Sequence, residues 1–511
     1  MLRPTMSSSA PPTAASSAAT GTAAAPTSGP PPSAVGRRVV GRVQRRTWPV
    51  VFSLLFFCLG MLYFFCWGPV VQHIPSLWES PSDLWGNYSA ANAFIHGNFV
   101  SVYSRSWGFL ALPGLLVLLA PIAALGTSLH TTLIEIGSRP HFLAHPHTLN
   151  VVVPRQVNVV QVGKNLDVLH PQVFLFLGPY ELLLSCVVLF ALDALAERLG
   201  VSWKRRAVLG LTEAVVLWNV SVIWGHPEDA FATALALYAL LFAIDGRWTG
   251  AGWIFGCAFA VQPLVLVIFP ILLATGGKER AKGLVLRGAI PGVIVTIVPL
   301  VAAFHTTVRS LIEQPTYPLL NHATPWTTFA PKIGGLNGAV GGGPVRSVAL
   351  ILACLLGWWA RRWRSKPEML VWAAALALAL RVYTESVMTP YYVWPALAVG
   401  LLVAARRSQW RFGVAIVAAV VTTVVAQSHL GEFPWWAIDV AGVSVVLVAA
   451  VDTGGWSLGS RGPGFGPVAA RRAALRRNAL QRNASQKTAS LKTATQKKKK
   501  KKAAQSARKR R

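Results

Sequence analysis

The chain has 511 residues, of which 53 % are hydrophobic and 13 % are charged. Soluble domains carry about 25 % charged residues, so this composition excludes an ordinary soluble protein and predicts a membrane protein. The five cysteines lie in apolar runs without metal-ligand spacing, which argues against both a disulfide framework and a zinc site built from cysteines.

The N-terminal part of the chain predicts a disordered segment followed by a first membrane span. Residues 1–36 are rich in Ala, Ser, Thr and Pro and cannot bury a core. Five arginines follow within 37–46, and then an almost wholly apolar run from Trp48 to Val71. This run is long enough to cross a bilayer and too long for a cleavable signal peptide. Because cytoplasmic segments are enriched in Lys and Arg, we expect the N-terminus inside and the end of this span outside.

A polar segment with a central carboxylate follows the first span. It reads Trp78-Glu79-Ser80-Pro81-Ser82-Asp83-Leu84-Trp85-Gly86-Asn87-Tyr88-Ser89-Ala90-Ala91. We expect a polar loop here, with Asp83 at the membrane surface. Such a carboxylate suits an enzyme that deprotonates a hydroxyl while its other substrate stays in the lipid. The alternative is an ordinary solvated aspartate in a loop.

Further apolar runs predict the remaining membrane segments. They lie at 107–129, 171–196, 207–224, 230–245, 249–276, 288–304, 347–360, 368–382, 390–405, 411–427 and 436–452. The sequence therefore predicts an all-α polytopic membrane protein, with about 10–13 transmembrane helices within residues 37–455 and disordered termini.

Two segments do not fit a simple alternation of sides. If 107–129 and 171–196 each cross once, the basic residues 204–206 fall outside, against the usual charge distribution. The segment 249–276 has basic residues on both flanks and contains Pro263 and Pro270. This pattern predicts a broken or re-entrant helix pair, which is tolerated where the freed backbone is buried in protein or lines a cavity.

The stretch 130–170 could hold another partial insertion. It contains His141, His145 and His147, for which ordinary loop histidines are favoured over a zinc site.

Polar residues near the later spans add candidates for binding or catalysis. Glu228 and Asp229 lie in a turn between two spans and are candidate site residues; a plain charged turn is the alternative. Arg381 lies at an outer span end, where a charge is tolerated near water or a counter-ion. It is a candidate for binding an anionic group, with Lys332 and Arg346 as alternatives. A snorkelling anchor is the other interpretation of Arg381.

The segment 305–346 predicts an external loop that acts as a lid. It carries His322, Trp326 and Lys332, with glycines at 334–335 and 341–343 that would permit movement. The alternative is a belt of aromatic residues at the membrane interface, to which Trp435 and Trp436 are also assigned.

Basic residues are concentrated in the C-terminal tail. Of the 48 Lys and Arg residues, 18 lie in 461–511, where no acidic residue occurs. We expect residues 456–511 to form a disordered cytoplasmic arm that binds anionic lipid head groups. Contact with nucleic acid is the weaker alternative and is not expected.

Four motifs resemble those of the GT-C superfamily of membrane glycosyltransferases. The most specific runs from Asp83 through Tyr88 and Ala90-Ala91 to Gly97 and Tyr103. The others are Trp224-Gly225-His226-Pro227-Glu228-Asp229, the Gly-rich run 250–256 with Gln262-Pro263, and Arg381 with Pro390-Tyr391-Tyr392. The chain looks most like the actinobacterial branch that takes mannose from polyprenyl-phosphate mannose. It departs from that pattern at Gln262, where the family has a Lys.

The resemblance implies a plasma-membrane enzyme of an actinobacterium whose active site faces outside. Its donor would be a polyprenyl-phosphate sugar carrying mannose or another hexose or pentose, and its acceptor a glycan or glycolipid of the cell envelope. Asp83 would be the catalytic base, and Arg381 would bind the departing lipid phosphate, with Lys332 and Arg346 as alternatives. Glu228 and Asp229 would bind acceptor hydroxyls or act as a second acid. No metal or cofactor is expected. The candidate substrate-binding residues are Tyr88, His226, Glu228, Asp229, His322, Lys332, Arg346, Arg381 and Tyr391.

Two other classes of protein remain open. A transporter or lipid flippase would explain a broken helix pair, but would favour a polar site at the membrane midplane and internal repeats. The sequence shows no such repeat, and its polar clusters lie near one face. A non-catalytic membrane scaffold with a working basic tail is the other alternative.

Overall fold

A computed structural model describes residues 47–71, 78–104, 111–128, 173–316, 321–333, 338–340, 344–428 and 430–451. These residues are mostly helical, and eight of their helices are long and apolar enough to cross a membrane. The prediction of a helical, polytopic chain is thereby confirmed. The predictions for residues 1–36, 130–170 and 456–511 lie outside the described residues.

The helices are numbered in chain order. They are α1 (Thr47–Val71), α2 (Ser82–Ile95), α3 (Phe99–Ser104), α4 (Gly114–Ser128), α5 (Phe174–Leu199), α6 (Trp203–Val216), α7 (Pro227–Ile244), α8 (Trp248–Val261), α9 (Phe269–Gly276), α10 (Lys278–Ala302), α11 (Phe304–Glu313), α12 (Pro344–Ala360), α13 (Pro367–Thr384), α14 (Trp394–Ala404), α15 (Gln409–Ala426) and α16 (Glu432–Ala450). A π-helical turn, Asn219–Ile223, extends α6.

The segment predicted as an external loop contains helix α11 and four short strands, which the sequence analysis missed. The strands are β1 (Pro315–Thr316), β2 (His322–Ala323), β3 (Lys332–Ile333) and β4 (Gly338–Val340), with β5 (Val387–Met388) following α13. Strands β1, β4 and β3 form one antiparallel sheet, and β2 pairs with β5. Strands of two or three residues are too short to show an alternating pattern.

One end of the helix bundle, called the basic end, is built from arginines that bind helix C-termini. These carbonyls have no partner within their own helix and carry partial negative charge. The hydrogen bonds run from Arg205 to the Ala405 and Arg407 carbonyls (3.0 and 2.5 Å), from Arg406 to Leu199, from Arg407 to Ala450 (2.7 Å) and from Arg364 to Ala274 (2.6 Å). The basic segments 204–206, 361–366 and 406–411 therefore share one end.

The opposite end, called the carboxylate end, is reached by the same helices. Helix α6 leads from Trp203, which stacks on Trp48 at the start of α1, up to His226. Helix α13 leads from Glu368, paired with Arg406 at the basic end, up to Arg381 and Glu385. At 1.5 Å per residue, the 18 residues of α13 separate the two ends by about 27 Å.

The broken helix pair predicted for 249–276 is present. Helix α8 ends before Pro263, a 3₁₀ segment (Pro263–Ile268) follows, and α9 leads back. Proline at position 263 has no backbone N–H to continue the helix. The pair returns to the basic end, because Arg280 beyond it lies 5.0 Å from the ring of Trp248 at its start. Gln262 lies at the tip.

Asp83 lies in the first turn of α2, so the prediction of a polar loop was wrong. Pro81, at φ −60° and ψ 132°, precedes the helix, and a carboxylate in the first turn is favoured by the helix dipole. The fully buried Leu84 anchors this turn in the core.

The predicted span 107–129 is also corrected, because helix α4 begins only at Gly114, after Pro113. Gly114 packs against the backbone of Ala260 and Val261 near the tip of the broken pair. At its other end, Thr127 bonds to Asn92 of α2 (3.2 Å), and Gly126 packs against Val173. Helix α4 thus covers only the half of the bundle nearer the carboxylate end. It need not cross, which removes the conflict over residues 204–206.

Candidate functional site

The centre of the candidate site is His226, between the π-helical turn and α7. Its Nε2 lies 2.9 Å from Oδ2 of Asp83, and its Nδ1 lies 2.7 Å from Oε1 of Glu228. Gly225, at φ +72°, makes this contact possible, since a side chain there would collide with Pro81 and Leu84 of α2. The imidazole therefore bridges two carboxylates from α2 and α7.

The environment of His226 favours its charged form. Burial alone lowers the pKa of the imidazole, but the charge of Glu228 and the hydrogen bonds to Asp83 and Glu228 raise it well above the usual range. His226 is therefore an imidazolium at neutral pH, with both ring N–H groups donating. The side chain of Asp83 is 42 % exposed and that of His226 is 13 % exposed, so Asp83 is the carboxylate that a substrate reaches.

Two amides extend this cluster. Gln262, at the tip of the broken pair, donates through Nε2 to Oδ1 of Asp229 at 2.6 Å. Asn87, one turn after Asp83, donates to Oε1 of Glu228 at 3.4 Å. Asp83, His226, Glu228 and Asp229 together are called the acidic half of the site. Sequence analysis marked Gln262 only as a departure from the family pattern, whereas here an amide rather than a Lys meets Asp229.

A second group, called the donor-rich half, surrounds Glu385. Arg346 donates through Nη2 to Oε1 of Glu385 (2.5 Å), and Arg381 donates through Nε to Oε2 (3.3 Å). Arg346 also binds Gln314, and the guanidinium of Arg381 lies 3.3 Å from the ring centre of Tyr392. Because two guanidinium groups share one carboxylate, this group carries a net charge of about +1 at neutral pH.

Several buried donors in the segments that carry the two halves of the site have no acceptor among the described residues. They are Nε1 of Trp224, Oγ of Ser386, Oγ1 of Thr389 and Nε1 of Trp394. A buried donor without an acceptor costs about 1–3 kcal/mol. Donors of this kind, together with the two arginines, fit an anionic ligand.

Tyr391 joins the two halves. Its ring stacks on His226 at 4.2 Å between centres and lies 5.7 Å from the ring of Trp224. Arg381 also acts electrostatically on Asp229 of the acidic half. The site therefore presents a base cluster and an anion-binding group next to each other.

Seven of the ten candidate residues meet in this site. Asp83, His226, Glu228, Asp229, Arg381 and Tyr391 are joined by the contacts given above, and Arg346 joins through Glu385. Tyr88 does not face the cluster, because its buried side chain packs against Gly126 of α4. Lys332 is exposed on β3 and forms no ion pair with the described residues.

His322 lies next to the site, where it helps to attach the predicted loop 305–346 to the bundle. It pairs with Met388 in the β2–β5 ladder and stacks on Trp435 at 3.8 Å. Trp435 is fully buried, so its assignment to an interfacial belt was wrong. Thr324 donates to the Glu385 carbonyl at 2.7 Å, which ties this part of the predicted lid to the site. The hinge glycines at 334–335 and 341–343 lie outside the described residues.

Sequence analysis missed three site residues that have an identifiable signal. Glu385 was given no role, although it lies four residues after Arg381, at ion-pair spacing on a helix. Asn87 lies four residues after Asp83 in the same way. Glu181 was overlooked within the predicted span 171–196, where a charge is costly enough to mark function.

No group of three or more His, Cys, Asp or Glu side chains in the described part of the chain is arranged to hold a metal ion. Comparison with known proteins finds no family model and no curated protein that matches this chain.

Proposed function

We propose that the chain is a GT-C-like membrane glycosyltransferase. It would move a sugar, mannose or another hexose or pentose, from a polyprenyl-phosphate donor to a cell-envelope glycan or glycolipid. The observation that carries this proposal is the pairing of the acidic half with the donor-rich half across Tyr391. A lipid-phosphate sugar needs both: a base for the incoming hydroxyl and cations for the departing phosphate.

The reaction follows from the positions of these groups. The acceptor hydroxyl lies against Asp83, which takes its proton as the oxygen attacks the anomeric carbon of the donor. The bond between that carbon and the phosphate oxygen breaks, and its electron pair leaves with the phosphate. Arg346 and Arg381 stabilise the charge that this step adds to the phosphate. His226 orients Asp83 through the 2.9 Å contact.

The distribution of basic residues supports an external site. With α1, α5, α6, α7, α10 and α12–α16 as crossings, the chain crosses ten times, and Thr47 and Val451 lie on the same side. The basic end would then face the cytoplasm and the carboxylate end the outside. A plasma-membrane location in an actinobacterium remains what the family resemblance implies.

A lipid or glycan transporter is the second candidate function. The broken helix pair favours it, because interrupted helices often carry the polar sites of transporters. The site of this chain lies at one end of the bundle, which favours the transferase. A scaffold without catalysis would not need ionised groups gathered at a buried site.

The two functions are separated by assaying purified protein in proteoliposomes. We expect transfer of radiolabelled sugar from a polyprenyl-phosphate donor to an acceptor glycan present on the same side. Movement of intact donor between leaflets, without a new glycosidic bond, would instead identify a transporter. Absence of both activities over a panel of polyprenyl-phosphate hexoses and pentoses would contradict the proposed function.

The orientation is tested with single cysteines in a background without the five native ones. His96→Cys lies exposed beyond α2 at the carboxylate end, and Thr249→Cys lies exposed at the basic end. A membrane-impermeant thiol reagent should label the cysteine at 96 on intact cells and that at 249 only after lysis. The reverse pattern would place the site inside and rule out a donor at the outer face.

A further inference from the structure

Behind the acidic half lies a carboxyl group that the proposed reaction does not use. Glu181 of α5 is 0 % exposed, and neither of its oxygens has a hydrogen-bond partner among the described residues. It lies close enough to Glu228 and His226 to interact with both electrostatically. An ionised carboxylate buried in this way would be very costly, so Glu181 is a neutral acid with an O–H that needs an acceptor.

Among the described residues, Glu228 lacks a hydrogen-bond donor for one oxygen, whereas Glu181 lacks an acceptor. Oε1 of Glu228 accepts from His226 and Asn87, whereas its buried Oε2 has no donor among the described residues. Two neighbouring buried carboxyl groups do not both ionise readily, and one proton between them satisfies both. Since His226 already stabilises the charge on Glu228, the proton belongs on Glu181.

We infer that Glu181 is a positioning residue that donates a hydrogen bond from its carboxylic acid to Oε2 of Glu228, directly or through one water molecule. A row of four groups results, from Glu181 through Glu228 and His226 to Asp83. The exposed fraction of the side chain rises from 0 % at Glu181 to 4 % at Glu228, 13 % at His226 and 42 % at Asp83. The buried acid stabilises the charge of Glu228, Glu228 favours the charged form of His226, and His226 holds Asp83.

Two other charged residues, Asp229 and Arg381, act on the row. Asp229 of α7 lies beside Glu228 and His226, and Arg381 of α13 acts on the row through Asp229. Gln262 satisfies Asp229, and the ring of Tyr391 covers His226. Glu181 differs from Asp229 in that neither of its oxygens has a hydrogen-bond partner among the described residues.

The test compares Glu181→Leu with Glu181→Gln, because leucine removes the donor and glutamine retains one. Since the pKa of His226 is raised by folding, its stabilising effect is present below about pH 6.5 and is lost as the pH rises through the folded-state pKa. Without the donor, the charge of Glu228 is less stabilised and attracts the imidazolium proton more strongly, so the pKa of His226 rises. We expect the alkaline fall in Tm of Glu181→Leu to occur about one pH unit or more above that of the wild type. Glu181→Gln should follow the wild-type curve.

Glu213→Leu is the matched control. Glu213 of α6 is also buried with both oxygens unpartnered among the described residues, but it does not interact with His226. Its replacement should leave the pH dependence of Tm unshifted. If Glu181→Leu does not fold, Glu181→Met removes the donor equally. An unshifted curve for the apolar variant, or an equal shift for Glu181→Gln, would overturn the inference.

This inference depends on the proposed function only for the role given to Asp83. In Glu181→Leu, the fall in transfer rate at alkaline pH should shift in the same direction along the pH axis as the fall in Tm. A shifted Tm curve in a protein that transfers no sugar would refute the proposed function and leave the row intact. An unshifted Tm curve in an active enzyme would do the opposite.

Discussion

Replacing Asp83 by asparagine should lower the rate of sugar transfer by at least about 100-fold, because loss of a general base costs roughly 10²–10⁴ in rate. Asparagine preserves the size of the side chain and its hydrogen bond to His226, but cannot take the proton of the acceptor hydroxyl. The measurement is single-turnover transfer from a radiolabelled polyprenyl-phosphate donor, with folding checked by Tm.

Asp245→Asn supplies the control for that variant. Asp245 is a half-exposed carboxylate paired with Arg198 at the basic end, so its replacement should leave transfer unchanged. Turnover of Asp83→Asn at the wild-type rate would show that Asp83 is not the catalytic base and leave Asp229 as the next candidate.

Replacing Arg381 by glutamine should reduce kcat/KM for the donor by about 100- to 1000-fold, the usual loss when one group that stabilises developing negative charge is removed. The variant leaves Glu385 with Arg346 alone, so the donor-rich half falls from a net charge of about +1 to neutral. Arg381→Lys should recover part of the activity, because it restores the charge without the planar guanidinium.

For Arg381, the comparison is Arg198→Gln, which removes an arginine from an exposed ion pair at the other end of the bundle. Exposed ion pairs contribute about 0–1 kcal/mol to stability, so this variant should keep a kcat/KM close to that of the wild type. A folded Arg381→Gln enzyme with wild-type kcat/KM would show that the phosphate is held elsewhere.

The membrane character and the broken helix pair could be predicted because each has a strong local signal. Long apolar runs identify helices in a bilayer directly. For residues 249–276, basic flanks on both sides together with Pro263 indicated a return to the same side. The gathering of Asp83, Glu228 and Asp229 at one face was expected from motif resemblance and from their position opposite the basic segments, since no local pattern relates α2 to α7.

What the sequence could not predict depends on packing between distant segments. Tyr88 and Asp83 lie five residues apart on one helix, and only the position of α4 shows that Tyr88 turns to the core. Lys332 and Arg346 were equal alternatives in the sequence. Only the hydrogen bond from Arg346 to Glu385 in the structure places Arg346 in the site. The loop assigned to Asp83 was wrong because a short polar helix lacks the apolar periodicity by which helices are recognised.

The arginines at the basic end have a consequence for how this chain can change in evolution. Membrane insertion responds to positive charge as such, so lysine would orient the chain as well as arginine. The folded bundle is more demanding, because Arg406 uses two different guanidinium nitrogens, one for the Leu199 carbonyl at a helix end and the other for Glu368. A single ammonium group does not reproduce that forked geometry. Replacing such an arginine by lysine would therefore leave membrane insertion unchanged but destabilise the packed bundle. Selection against the replacement would act at the later step, when the helices pack together.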